Sequence, residues 1–155
     1  LITIDKMNKH ICDTVHWEIK LSDDQHYLGR CVIILRRDCG ELSEVTNEEF
    51  LELLEVIKRL EKGFKKEFGA TMFNWTCLMN DAYKEGRKPR VHFHVRPRYR
   101  NKVEFAGLVF EDTEFAHHYD RETNRDVGEE IMRKIVLKVR EMVKDITFKI
   151  DERYK

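Results

Sequence analysis

A chain of 155 residues is the size of a single domain, and its 41% hydrophobic share is enough to fill one core. Its 29 Lys and Arg cancel its 29 Asp and Glu, so no overall field draws it to nucleic acid or to an anionic membrane. No apolar stretch has the length of a membrane span, no segment reads as a secretion signal, and Cys12, Cys31, Cys39 and Cys77 form no CxxC pair; the expectation is a cytoplasmic protein with reduced thiols and no zinc site built from them.

In chain order, residues 14–20 (TVHWEIK) predict a first strand, 21–29 a polar turn ending at Gly29, and 30–35 (RCVIIL) an apolar strand central in a sheet. A loop over 36–45 leads to Thr46, with Glu49 three residues on, a capping box. Phe50, Leu53, Leu54, Ile57, Leu60, Phe64 and Phe68 then recur at helical spacing, and Gly69 is a helix stop. Residues 71–79 predict a strand, 80–89 a turn-rich connector and 91–97 a strand pairing antiparallel with 71–79. Residues 99–126 give no assignment. A second helix is expected over 127–143, from Val127, Ile131, Ile135, Val139 and Met142, and a short strand over 146–150. The order implies an α+β fold: an antiparallel β-sheet with one long helix after the second strand and a second, C-terminal helix.

The chemistry concentrates in Val91-His92-Phe93-His94-Val95-Arg96-Pro97-Arg98-Tyr99. Strict alternation sends Val91, Phe93 and Val95 to a core and His92, His94 and Arg96, preceded by Arg90, to the opposite face. Two imidazoles flanked by guanidiniums suit an anion. A neutral imidazole attacks phosphorus near neutral pH. A second one ligates the phosphate or protonates the leaving group, and the arginines hold non-bridging oxygens. Arg87, Lys88, Arg90, Arg96, Arg98, Arg100 and Lys102 make 86–102 a local basic cluster.

RVHFHVRPR resembles the signature of the histidine triad nucleotide hydrolases and transferases, His-x-His-x-His followed by two apolar residues, often then Pro-Arg. Anchored on Pro97-Arg98, the middle histidine falls on His92 and the last on His94, while Arg90 stands where the family has its first. The stretch from Leu28 to Phe50 is similar to the family's second strand, loop and helix start, with Arg30 and Asp38 at positions often occupied by His. The resemblance spans residues 14–100 of a single domain over 1–155, with 101–155 as a C-terminal extension. It implies that His92 attacks an α-phosphorus to form a nucleotidyl-histidine and that His94 contacts the phosphate. It also implies that Asn80 meets phosphate or ribose, that Asp23 lies near the ribose-binding acid, and that the protein is a homodimer. Arg90 and Arg96 are expected to bind substrate. The cationic surroundings favour dinucleoside polyphosphates over simple phosphoramidates. No cofactor is implied beyond a divalent cation carried on the substrate's phosphates.

Three other readings stand beside this one. Arg90 donates hydrogen bonds but accepts none, so if His92 needs an acceptor there, the chain is a nucleotide-binding protein with weakened turnover. His92 and His94, with His117, His118 or Asp120, are the parts of a metal site, although Arg90 and Arg96 would repel a cation. Arg96, Arg98 and Arg100 also read as a solvated edge-strand face, Trp75 reads as core rather than a base-stacking platform, and His117-His118-Tyr119-Asp120 reads as surface or packing.

Overall fold

The computed structural model describes residues 9–144 and 146. A five-stranded antiparallel sheet runs in the order β1 (His10–Asp13), β2 (Trp17–Leu21), β3 (Cys31–Leu35), β5 (His92–Arg98), β4 (Met72–Thr76). Helix α1 (Asn47–Phe68) follows the second of the expected strands, the short α2 (Asp81–Glu85) precedes β5, and α3 (Gly128–Val143) is the late helix. A small hairpin, β6 (Val103–Phe105) with β7 (Leu108–Phe110), lies in the stretch the sequence left unassigned. The fold is the expected α+β one. The strand expected over 146–150 falls, but for Ile146, outside the described residues.

The first strand is the main correction. Residues 14–16 are not strand, because the Thr14 hydroxyl accepts from the Trp17 amide at 2.9 Å and closes a tight turn. The buried Glu52 carboxylate then takes the amides of Val15 and His16 at 2.8 and 3.0 Å, and the His16 ring as well. The chain before the turn forms β1, and β2 begins at Trp17.

One sheet face carries Trp17, Ile19, Cys31, Ile33, Leu35, Val91 and Val95, each 1% exposed or less, against Leu53, Val56, Leu60 and Phe64 of α1. Burial of each such side chain contributes about 1.5–3 kcal/mol. The α1 stripe is offset from the expected one: Val56 is buried, whereas Phe50 and Leu54 are 41% and 43% exposed. The capping box is present, with Glu49 N–H donating to the Thr46 hydroxyl and Thr46 N–H to the Glu49 carboxylate. Gly69 ends the helix in the left-handed region at φ 74°. Trp75 sits on the core side and donates to Glu61 at 3.1 Å. Helix α3 packs on α1 and β1. All four cysteines are unpaired. Among the described residues no helix is long and apolar enough to cross a membrane.

β5 is an interior strand, so the solvated-edge reading of Arg98 fails. Its guanidinium is fully buried and all five N–H groups are used: two to Asp112 at 2.7 and 3.0 Å, one to Asn74 Oδ1 and two to the carbonyls of His117 and Glu114. The irregular 111–120 segment is thereby fastened to the sheet. Arg100 is exposed, its guanidinium 4.9 Å from the Phe115 ring.

Candidate active site on the outer face of the sheet

Alternation along β5 places His92, His94, Arg96 and Arg98 on the face away from α1, as expected. Cross-strand pairing adds their neighbours. Ile34 and Val32 of β3 lie opposite His92 and His94, while Thr76 and Asn74 of β4 lie opposite His94 and Arg96. Arg30, one residue before β3, continues this row beside Arg96.

His92 Nδ1 lies 2.8 Å from the carbonyl oxygen of Arg90. A carbonyl only accepts, so Nδ1 carries a proton, and in the neutral ring the lone pair is on Nε2. The acceptor whose loss the Arg90 replacement threatened is therefore present, supplied by the main chain. The Arg90 guanidinium points elsewhere, donating to Asp38 at 2.9 Å, with Lys88 3.7 Å from the same carboxylate. These cations hold the Asp38 carboxyl below its usual range.

The His94 ring meets the His92 ring edge-on, with centroids 5.2 Å apart. Burial, then the charges of Arg30, His92 and Arg96, push the His94 pKa down from 6.5 to about 4. His94 is thus neutral at pH 7, and its Nδ1 is buried without a hydrogen-bond partner among the described residues.

Arg96 is 6% exposed and sits over Tyr119, with its guanidinium carbon 3.9 Å from the ring centroid. Asn80 is exposed at the start of α2, its side chain making no capping bond. Its neighbour Asp81 is close enough to act on His94, so this turn borders the histidines. Asp23 does not join them. It is exposed and paired with Lys9, whereas the adjacent Asp24 accepts from Arg30 Nη1 at 2.7 Å. Asp24 is turned inward because its other oxygen takes the amides of His26 and Arg125. Fully buried Gln25 fixes the same turn through the Ser22 and Arg30 carbonyls and the Gly29 amide. A cavity of about 520 Å³ lined by Lys9, Asp23, Asp24 and the start of α3 includes neither His92 nor His94.

His117 and His118 are exposed, His118 Nδ1 bonding to the Tyr119 carbonyl. Among the described residues no group of three or more His, Cys, Asp or Glu side chains is gathered as metal ligands. Sequence reasoning missed Thr76 and Tyr119. Pairing 71–79 with the histidine strand could have found Thr76, whereas nothing in the pattern brings Tyr119 back to Arg96.

No protein-family model matches the chain, and no curated protein matches it. Solved structures do. A histidine triad protein from Marinobacter aquaeolei VT8 superposes with a TM-score of 0.69 at 18% identity, covering 89% of this chain and 90% of that one. The chain has the histidine triad fold. A hypothetical histidine triad nucleotide-binding protein from Sulfolobus tokodaii strain7 gives 0.66 at 14% identity, covering 88% and 84%. A histidine triad protein from Sinorhizobium meliloti 1021 gives 0.66 at 19%, covering 89% and 91%.

Proposed function

We propose that the protein is a nucleotide hydrolase or nucleotidyl transferase acting on the α-phosphate of a dinucleoside polyphosphate or related purine nucleotide. The observation that carries this is the 2.8 Å bond from His92 Nδ1 to the Arg90 carbonyl, which leaves Nε2 as a nucleophile beside a neutral His94. Nε2 attacks the α-phosphorus, a P–N bond forms, and the bond to the bridging oxygen of the leaving phosphate breaks. Water then cleaves the P–N bond and restores the imidazole. A phosphate arriving beside His94 offsets the charges of Arg30 and Arg96, which raises the affinity of His94 for a proton and suits it to protonate the leaving oxygen. Arg96 and Asn80 hold phosphate or ribose oxygens. Arg90 does so from the rim by exchanging Asp38 for them. Asp24, held on Arg30, is the acid this reading adds beside the site, next to Asp23 at the surface. A divalent cation, where used, travels on the substrate's phosphates. The reading includes a cytoplasmic homodimer: the exposed Phe50 and Leu54 of α1 and the sheet-edge position of β4 offer apolar and main-chain surface to a second copy.

The test is hydrolysis of a dinucleoside tetraphosphate with products resolved by chromatography, wild type against His92→Asn. Release of a mononucleotide that the variant abolishes is expected. Equal turnover by the variant would overturn the mechanism, and nucleotide binding without turnover in the wild type would make this a binding protein on an enzyme's scaffold.

A further inference from the structure

The buried side-chain N and O atoms that lack a hydrogen-bond partner among the described residues are Arg30 Nε, Thr76 Oγ1, His94 Nδ1, and Nε and Nη1 of Arg96. All of them fall in one patch, where β3, β5 and β4 bring Arg30, His94, Arg96 and Thr76 together. Buried polar atoms are nearly always satisfied, so five orphans in one place mark a site that something else completes. The charges agree. Arg98 is balanced by Asp112 and Arg30 by Asp24, but Arg96, more than nine-tenths buried, has no ion-pair partner among the described residues and only shares the field of Asp24 with Arg30. A buried cation without a counter-charge is costly, and an anion relieves it. Tyr119 covers Arg96 from one side, its ring centroid 3.9 Å from the guanidinium carbon, while Nε and Nη1 have no hydrogen-bond partner among the described residues and suit a fork of oxygens. Gln25 holds the turn that delivers Arg30, so the pair is built in advance of any ligand.

We propose that Arg30 and Arg96, with Thr76 and the inner edge of His94, form a second anion subsite that takes a second phosphoryl group of the ligand whose first is held at His92. This rests on the nucleotide reading above. Same-face Cα atoms on a strand are about 7 Å apart, and the charges of Arg30 and Arg96 both act on His94, so the subsite abuts His94, the neighbour of His92 on this face. Two ligand types present phosphates in this way: a phosphoanhydride chain, and a ribose bearing phosphates on both sides. Arg30 and Arg96 then set specificity, whereas His92 and His94 do the chemistry.

The experiment is calorimetric titration of the full chain with AMP, ADP, adenosine 3′,5′-bisphosphate and inorganic pyrophosphate, for wild type, Arg96→Met and Arg30→Met, each checked for its fold by circular dichroism. ADP or the bisphosphate is expected to bind at least about tenfold tighter than AMP, the size of one charge-assisted hydrogen bond. Both variants should shrink that gain below about threefold, each measured against the same protein's own AMP affinity. A gain for ADP alone identifies the anhydride chain, and a gain for the bisphosphate alone identifies the ribose phosphate. AMP binding with no gain from a second phosphate overturns the subsite and leaves the nucleotide reading intact. Pyrophosphate binding that Arg96→Met removes, without AMP binding, keeps the subsite and overturns the nucleotide reading. Should Arg96→Met fail to fold, Arg30→Met, whose side chain is 15% exposed, decides the question alone.

Discussion

Asp38 and Arg90 are joined at 2.9 Å, so two of the chain's departures from the histidine triad pattern are two halves of one ion pair. The pair lies at the surface, where such contacts contribute about 0–1 kcal/mol. Arg90 serves His92 through its carbonyl, which any residue would supply. Arg90→Ala should therefore keep kcat on a dinucleoside tetraphosphate within about threefold, and Asp38→Asn, by freeing the guanidinium, should lower KM by about two- to fivefold. Steady-state kinetics on both variants check this. A fall in kcat of more than tenfold in Arg90→Ala would show that the guanidinium itself acts in the transition state.

His94 makes stability depend on pH. Its folded pKa of about 4 lies below the ordinary 6.5, so between these values the unfolded chain binds more protons. The contribution is complete above pH 6.5 and is lost as pH falls toward 4, on the order of 2–3 kcal/mol in all. Urea midpoints of wild type and His94→Gln, taken from pH 7 to 4.5, should converge as the pH drops. Parallel curves would show that His94 titrates normally.

Arg98 and Asp112 form a pair with side chains 0% and 1% exposed. Arg98→Met strands the Asp112 carboxylate and should cost about 3–5 kcal/mol. Adding Asp112→Asn removes the stranded charge, so the double variant should be more stable than Arg98→Met alone. A double-mutant cycle by urea denaturation measures this coupling, and strict additivity would refute it.

Gly29 sits at φ 87°, and a Cβ there would lie 2.6 Å from the Phe64 ring. Gly29→Ala should cost about 2–4 kcal/mol, from overpacking plus left-handed strain. The Tm should fall by roughly 5–15 °C. Gly69→Ala, at φ 74° with nothing within 4 Å of a Cβ, carries the strain alone and should fall much less. Equal losses in the two melts would mean that Phe64 yields freely.

The long helix was legible because its signals are local: Thr46 and Glu49 cap each other three residues apart, and Gly69 ends it. The histidine face was legible because alternation is a property of one strand. The placement of Phe50 and Leu54 was not, since periodicity counts apolar residues without knowing which of two adjacent stripes meets the sheet. Nor was the burial of Arg96 and Arg98. Arg96 read as a substrate ligand and Arg98 as one charge of a basic cluster, and nothing local foretold that Tyr119 and Asp112 return to cover them across a stretch with almost no regular structure. The inward turn of Asp24 was hidden for a similar reason, since one of the bonds that holds it comes from Arg125, a hundred residues away.

Arg98 grips the 111–120 segment partly through main-chain oxygens, those of Glu114 and His117, and the side chains of both residues are turned out to solvent. Such an anchor is blind to what those residues are. The path of this wall is thus inherited from one arginine and one aspartate, while Glu114 and His117 can drift in size and charge without moving it. A surface of that kind lets the rim change its chemistry over generations and leaves the histidines behind it where they are.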